Sequence, residues 1–418
     1  MATDSAVEQK IIFWISIGHF MNHAGNYLTP NLLIYLQTDI FLTYTEQGLL
    51  GTIPLFMMLC LSTIVGYLGD RKPTWRKTMV WFGLIGIAFF AFIMSTAQSF
   101  MALAIGTILL GIALSTYHPL AFSLINSMPN KDKNMGINAV AGNFGSALTP
   151  LVAMLIAVNF GGWRIAFLVF GLVQFISGLT LAKFYPSNRM TDAFINSHRS
   201  KELIADKQFI KTQLIFLVIV LVVISAARAP VFRTLSYFTN VIFADAFAFE
   251  KIQASILTAI ALGLGSFAAF LAGYINNIRI QKRKSAKKER VAIRINMMLL
   301  STGLATCFLL ILAFFQTNPI SVLIIYFSLT FFFFLGASIL PTIISEVTSG
   351  IDMGQAFGAL FTGATLTGAL SPTIFGWFVD NFSFKEGFFF LATVAFICFS
   401  LILLFKGIFN FYYDFKSK

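Results

Sequence analysis

Apolar runs separated by short polar punctuation fill almost the whole chain. A helix rising 1.5 Å per residue needs about 20 such residues to cross a hydrocarbon core about 30 Å thick. Twelve segments meet that test: 11–36, 46–69, 78–97, 100–127, 135–158, 163–185, 212–243, 250–276, 293–315, 319–345, 353–380 and 385–410. The one long polar interval is 186–211, which Pro186, Ser187 and Asn188 open and a run of charges continues; it reads as a linker. The pattern predicts an all-α polytopic membrane protein of twelve transmembrane helices in two six-helix bundles, residues 1–185 and 212–418, joined by a cytoplasmic linker at 186–211.

Composition agrees. Of 418 residues 57% are hydrophobic and only 11% charged, which excludes an ordinary soluble domain and makes the lipid bilayer the surrounding partner. The net charge of +12 raises the question of nucleic acid, and its distribution answers it. Arg279, Lys282, Arg283, Lys284, Lys287, Lys288, Arg290 and Arg294 share one loop, and most other bases fall at 71–77, 131–133 and 183–211. The loops of the opposite face hold Arg164, Lys251 and Lys385. That asymmetry is the positive-inside pattern. It predicts both termini in the cytoplasm, a multi-pass protein of the cell (inner) membrane, and no nucleic-acid partner. The first nine residues carry Asp4 and Glu8 and no base, so no cleaved signal peptide is expected. Cys60, Cys307 and Cys398 lie inside apolar runs and read as packing residues.

The two halves echo each other, as a duplicated six-helix unit would. Ala147-Leu148-Thr149-Pro150 returns as Ala369-Leu370-Ser371-Pro372, Gly136 returns as Gly358 at the same offset, and Gly66-Tyr67 returns as Gly273-Tyr274, with Asn277 in the place of Asp70. Between the second and third segments stands Gly66-Tyr67-Leu68-Gly69-Asp70-Arg71-Lys72-Pro73-Thr74-Trp75-Arg76-Lys77. Gly66 and Gly69 clear one helix face for a close neighbour, and the charges that follow mark a membrane face. This string resembles the loop between helices 2 and 3 of the major facilitator superfamily. With Pro73 and Trp75, and with His19-Phe20-Met21-Asn22, Tyr117-His118-Pro119 and Gly142 to Pro150, the chain looks like the fosmidomycin-resistance branch. His23 stands where that branch usually has aspartate, and Leu120 where it usually has glutamate. The resemblance implies a major facilitator fold, alternating access, and Asp70 facing the start of the eleventh helix, where Asp352 and Gln355 form a capping pattern. Asp70, Arg71, Glu346 and Asp352 are therefore the expected gate charges.

Polar groups within hydrocarbon are costly and mark candidate sites. His19, Asn22, His23 and Asn26, spaced i, i+3, i+4 and i+7, share one face of the first helix; they read as a binding wall or as polar contacts between helices. Tyr117, His118 and Asn143 belong to the branch's signatures and are carried as substrate-binding candidates. Arg228 and Arg233, with Pro230 between them and Tyr237 a turn beyond, are the sharpest feature of the second half. An arginine at mid-membrane costs roughly 2.5–3.5 kcal/mol, so each either serves a site or snorkels and pairs. No carboxylate lies deep in any segment, and an interior with arginines and histidines suits an anion. His19 and His23 also have the spacing of two metal ligands on a helix, yet only His118 and His198 remain to join them, so no metal, cofactor or enzymatic activity is expected. The expected function is secondary transport of a small organic anion by a monomer, as efflux with proton antiport; the alternative is uptake of an organic anion or a phosphorylated metabolite.

Overall fold

The computed structural model describes residues 2–72, 75–126, 128, 130–186, 211–283, 287–314, 318–337, 339–348 and 353–416, and all of its regular structure there is helical. In the first half the helices are α1 (Ala2–Ile40), α2 (Tyr44–Arg71), α3 (Arg76–Thr96), α4 (Phe100–Leu114), α5 (Tyr117–Asn126), α6 (Lys131–Asn159) and α7 (Trp163–Phe184). In the second they are α8 (Lys211–Val241), which runs into a π turn at Ile242–Ala246, then α9 (Lys251–Arg283), α10 (Lys287–Phe314), α11 (Pro319–Leu335), α12 (Ile339–Thr348), α13 (Met353–Asn381) and α14 (Phe384–Lys416). Ten spans among the described residues are long and apolar enough to cross a membrane. The remaining two, α1 and α13, have the length, at 39 and 29 residues, but histidine and asparagine dilute the first and glycine and threonine the second. Two bundles of six spans result. The predicted linker lies outside the described residues, apart from Pro186 and the first residue of α8.

Two of the twelve expected spans are broken. The fourth is α4 and α5, interrupted at Ser115-Thr116, and the tenth is α11 and α12, interrupted at Gly336-Ala337. Each second piece has proline at its third residue, Pro119 or Pro341. Proline has no N–H to return to the carbonyl four residues back and disfavours helical backbone in the residue before it. Pro341 follows Pro119 at the offset of 222 that also relates Ala147 to Ala369, so the break belongs to the duplicated unit. The two are satisfied differently. Ser115 Oγ donates to the Ile112 carbonyl (2.7 Å) and Thr116 Oγ1 to that of Ala113 (2.8 Å), whereas Gly336 and Ala337 carry no hydroxyl and bond back only through their N–H groups, to the carbonyls of Phe333 (3.3 Å) and Phe334 (2.9 Å).

By contacts the described residues form two compact units, 1–202 with 249–259 and 203–248 with 260–418. In the first, α1 packs along α6 and α3 along α7; in the second, α8 packs along α13 and α10 along α14. Small residues permit the close crossings. A Cβ on Gly69 would meet Leu120 Cδ2 at 2.2 Å, and one on Gly66 would touch Pro119, so the bare face of α2 receives the start of α5. Gly273, the second-half echo, faces open space and carries no such contact. At the head of α7, Gly161 and Gly162 take φ of +107° and +94°, backbone that favours glycine. This turn aims Trp163 Nε1 at Asp39 Oδ2 (2.7 Å) and Arg164 Nη2 at the Ala97 carbonyl that ends α3 (2.9 Å).

Glu8 is a buried carboxylate that the sequence pattern gives no reason to single out. It is 8% exposed and accepts from Asn130 N (3.3 Å), Asn130 Nδ2 (3.0 Å) and Asn134 Nδ2 (2.7 Å). A carboxylate at the first turn of α6 also suits the positive end of that helix. Glu8→Ala is expected to destabilise the first unit by roughly 1–3 kcal/mol, read as a lower melting temperature in detergent; unchanged melting would show that the carboxylate bears no load.

Candidate functional site

The first unit gathers four of the predicted residues, His19, His23, Tyr117 and His118. On α1, one turn apart, His19 Nε2 lies 3.1 Å from His23 Nε2. His118, second residue of α5, has its ring centroid 5.2 Å from that of His19 and 5.8 Å from that of His23. Its approach depends on the break, because α5 restarts at Tyr117. That tyrosine is buried, stacks on His19 at 5.0 Å, and donates to the Ile15 carbonyl or to Asn138 Oδ1, each 2.8 Å away. His19 is itself buried; its Nδ1 donates to the Asn138 carbonyl (2.7 Å). His23 Nδ1 is 2.8 Å from Ser146 Oγ. Gly142 of α6 supplies the room for these rings, since a Cβ there would lie 2.6 Å from His19 Cε1.

Asn22 is buried on α1 and Asn26 half-buried, in keeping with the predicted common face. Asn143 is exposed on α6 and stands apart from the histidines, because one residue along a helix turns the side chain about 100° away from the Gly142 face.

In the second unit Arg228 is 7% exposed. Its Nη2 donates to the Phe333 carbonyl at the end of α11, to which Ser301 Oγ of α10 also donates (3.1 Å), and its guanidinium lies 4.2 Å over the Phe333 ring. The Gly336 N–H also reaches that carbonyl, at 3.3 Å, so Arg228 adds a charged donor where the break leaves only a long backbone bond. Gly336 admits the guanidinium, since a Cβ there would lie 2.7 Å from both Arg228 Nη1 and Ser301 Oγ. Nη1 is buried without a hydrogen-bond partner among the described residues.

Arg233 is half-buried; its stem passes Gly368 of α13, and its guanidinium lies 5.5 Å over Phe232. Five residues turn a helix about 140° from the starting direction, which is why the two arginines address different neighbours despite Pro230. Tyr237 is half-buried a turn further on, edge-on to Phe238 at 5.4 Å. The hydrogen bond that Pro230 denies to the Ala226 carbonyl comes instead from Thr367 Oγ1 at 2.6 Å.

Of the expected gate charges, Arg71 is exposed with its guanidinium 4.9 Å from the Tyr67 ring centroid. Glu346 of α12 pairs with Arg290 (3.0 Å) and Arg294 (2.5 Å) of α10. The Asp70 side chain and the whole of Asp352 lie outside the described residues.

Two bundles of membrane-length helices, each with a broken fourth span, define a polytopic membrane protein. The chain belongs to the Major Facilitator Superfamily, whose sequence profile matches residues 15–350, and is accordingly a membrane transporter. The fosmidomycin resistance protein of Escherichia coli (strain K12) is 29% identical over 161 residues, 37% of this chain and 38% of that protein. The uncharacterized MFS-type transporter YfnC of Bacillus subtilis (strain 168) is 24% identical over 185 residues, 42% of this chain and 44% of YfnC. The aligned region thus spans about two fifths of each curated relative. Among solved structures, a bacterial homologue of the human lysosomal transporter Spinster, inward-facing and occupied, superposes with a TM-score of 0.69 at 13% identity, covering 97% of this chain and 96% of that one. A D-xylose–proton symporter does so at 0.68 and 16% identity, covering 94% and 96%. At such identities these structures establish the shared fold.

Proposed function

We propose that the protein exports a small organic anion by alternating access, with protons moving the opposite way. The observation that carries this reading is the pair of arginines on one membrane-spanning helix, Arg228 and Arg233, with no ion pair to Arg228 among the described residues. Guanidinium holds carboxylate and phosphate-like groups in a two-point fork, and a buried Nη1 with no partner is a donor awaiting one. Similarity to the fosmidomycin resistance protein supports export as the direction. In this reading His19, Asn22, His23, Asn26, Tyr117, His118, Asn143 and Tyr237 serve the substrate path, and Asp70, Arg71, Glu346 and Asp352 tune the gates. The protein acts as a monomer in the inner membrane with both termini in the cytoplasm.

The test is transport in proteoliposomes under an imposed pH gradient, with labelled organic carboxylates and phosphonates set against organic cations. Accumulation of an anion, collapsing when the gradient is dissipated, is the expected result. Arg233→Ala should weaken apparent affinity for that anion roughly tenfold to 150-fold, the equivalent of about 1.5–3 kcal/mol. Preference for a cation would overturn the reading.

A further inference from the structure

We propose that His19, His23 and His118, which the proposed function also sets along the substrate path, form a binding site for a divalent transition-metal ion of the zinc class wholly within the first unit. One ring nitrogen from each lies within 4.8 Å of the corresponding nitrogens of the other two. Two imidazoles bound to a tetrahedral ion at 2.0–2.1 Å have their nitrogens about 3.3 Å apart, and His19 Nε2 and His23 Nε2 already stand at 3.1 Å. The third nitrogen, from His118, has to move closer to complete the set, and a three-histidine site then keeps one position open.

Hydrogen bonding around the rings prepares them as ligands. The Asn138 carbonyl has no proton to give, so His19 Nδ1 carries the hydrogen in their 2.7 Å bond and Nε2 presents a lone pair. Ser146 Oγ reaches both the Gly142 carbonyl (3.2 Å) and His23 Nδ1 (2.8 Å); with its hydrogen on the carbonyl it accepts from His23 Nδ1 and the second Nε2 presents a lone pair too, and with its hydrogen on His23 Nδ1 that Nε2 donates to His19 Nε2. Such partners on the far ring nitrogen fix the tautomer and orientation of metal-bound histidines. In the first arrangement the two Nε2 lone pairs, 3.1 Å apart, can bind one cation together; in the second a hydrogen bond joins them. A shared proton would serve two nitrogens. The convergence of a third ring on the same point, from a helix that restarts one residue earlier, assigns the place to a metal ion.

The full-length protein in detergent, titrated with Co²⁺ and then Zn²⁺, tests this. Expected are visible ligand-field bands of four-coordinate cobalt at one equivalent, their loss on adding zinc, and a melting temperature several degrees higher with either metal. His23→Ala and His118→Ala should each weaken binding at least tenfold, and Ser146→Ala, which removes only a partner of His23, about tenfold. His198→Ala, in the predicted linker, should leave binding unchanged. Should His23→Ala fail to fold, His118→Gln at a half-buried position carries the same test. No binding at millimolar metal, equal binding in the histidine variants, or near-ultraviolet thiolate charge-transfer bands that place the ion on exposed Cys60 or Cys307 would overturn the proposal. Stabilisation that follows pH, needs His23 and ignores metal would assign the place to a proton and overturn it equally.

Discussion

Replacing Gly145 by alanine is expected to cost the first unit roughly 1–3 kcal/mol, the usual penalty for an extra methyl group in a packed core. The new Cβ would lie 2.4 Å from the Phe20 carbonyl oxygen and 3.1 Å from its carbon. Both are backbone atoms of α1, so no rotamer change relieves the contact and the two helices must part. The histidine cluster rests on the same seam, through Asn138, Gly142 and Ser146 on α6, and should loosen with it. Gly136→Ala on the same helix, where a Cβ meets nothing within 4 Å, is the control. It should be neutral, or stabilising by up to about 1 kcal/mol through helix propensity. Melting temperature and yield of both variants in detergent decide the matter, and equal behaviour would show that the α1–α6 approach tolerates expansion.

Arg228→Ala should lower stability by roughly 2–4 kcal/mol, because it removes a charged hydrogen bond and leaves a cavity beside the Phe333 carbonyl. Ser301 Oγ (3.1 Å) and the Gly336 N–H (3.3 Å) then remain as that carbonyl's donors. Ser301→Ala alone should cost less than about 1 kcal/mol, since Arg228 still serves the oxygen. The double variant should cost more than the two single effects together, because the carbonyl then keeps only the Gly336 N–H, at 3.3 Å. Additive losses would mean that the two donors do not share this acceptor. Once a substrate is in hand, affinity separates the second role: loss of binding beyond the loss of stability in Arg228→Ala marks Nη1 as a substrate contact, and normal affinity in a destabilised protein marks Arg228 as structural alone.

The span pattern was legible because it depends on run length, and the common face of His19 and His23 because it depends on helical period. The convergence of His118 was not, since it needs a helix that stops and restarts inside what reads as one apolar run. Pro119 and Pro341 were the available signals. The use of Arg228 was hidden for a different reason. Its partner is a backbone carbonyl 105 residues away, and no side-chain pattern announces a carbonyl that lacks its helical donor. Glu8 escaped notice because it sits at a segment's edge, where a charge is unremarkable, and its asparagine partners 122 and 126 residues on are no sequence motif.

The paired breaks make the halves non-interchangeable. Both descend from one proline joint, but serine and threonine secure the first from within, which frees its neighbours to hold imidazoles, while the second is clamped from outside by an arginine. A chain built from two copies of the first half would carry the histidine triad twice and have no clamp. One built from two copies of the second would have two arginine-clamped joints and no triad. Divergence after duplication has thus divided the labour of a single inherited hinge between a cluster of bases and a fixed positive charge.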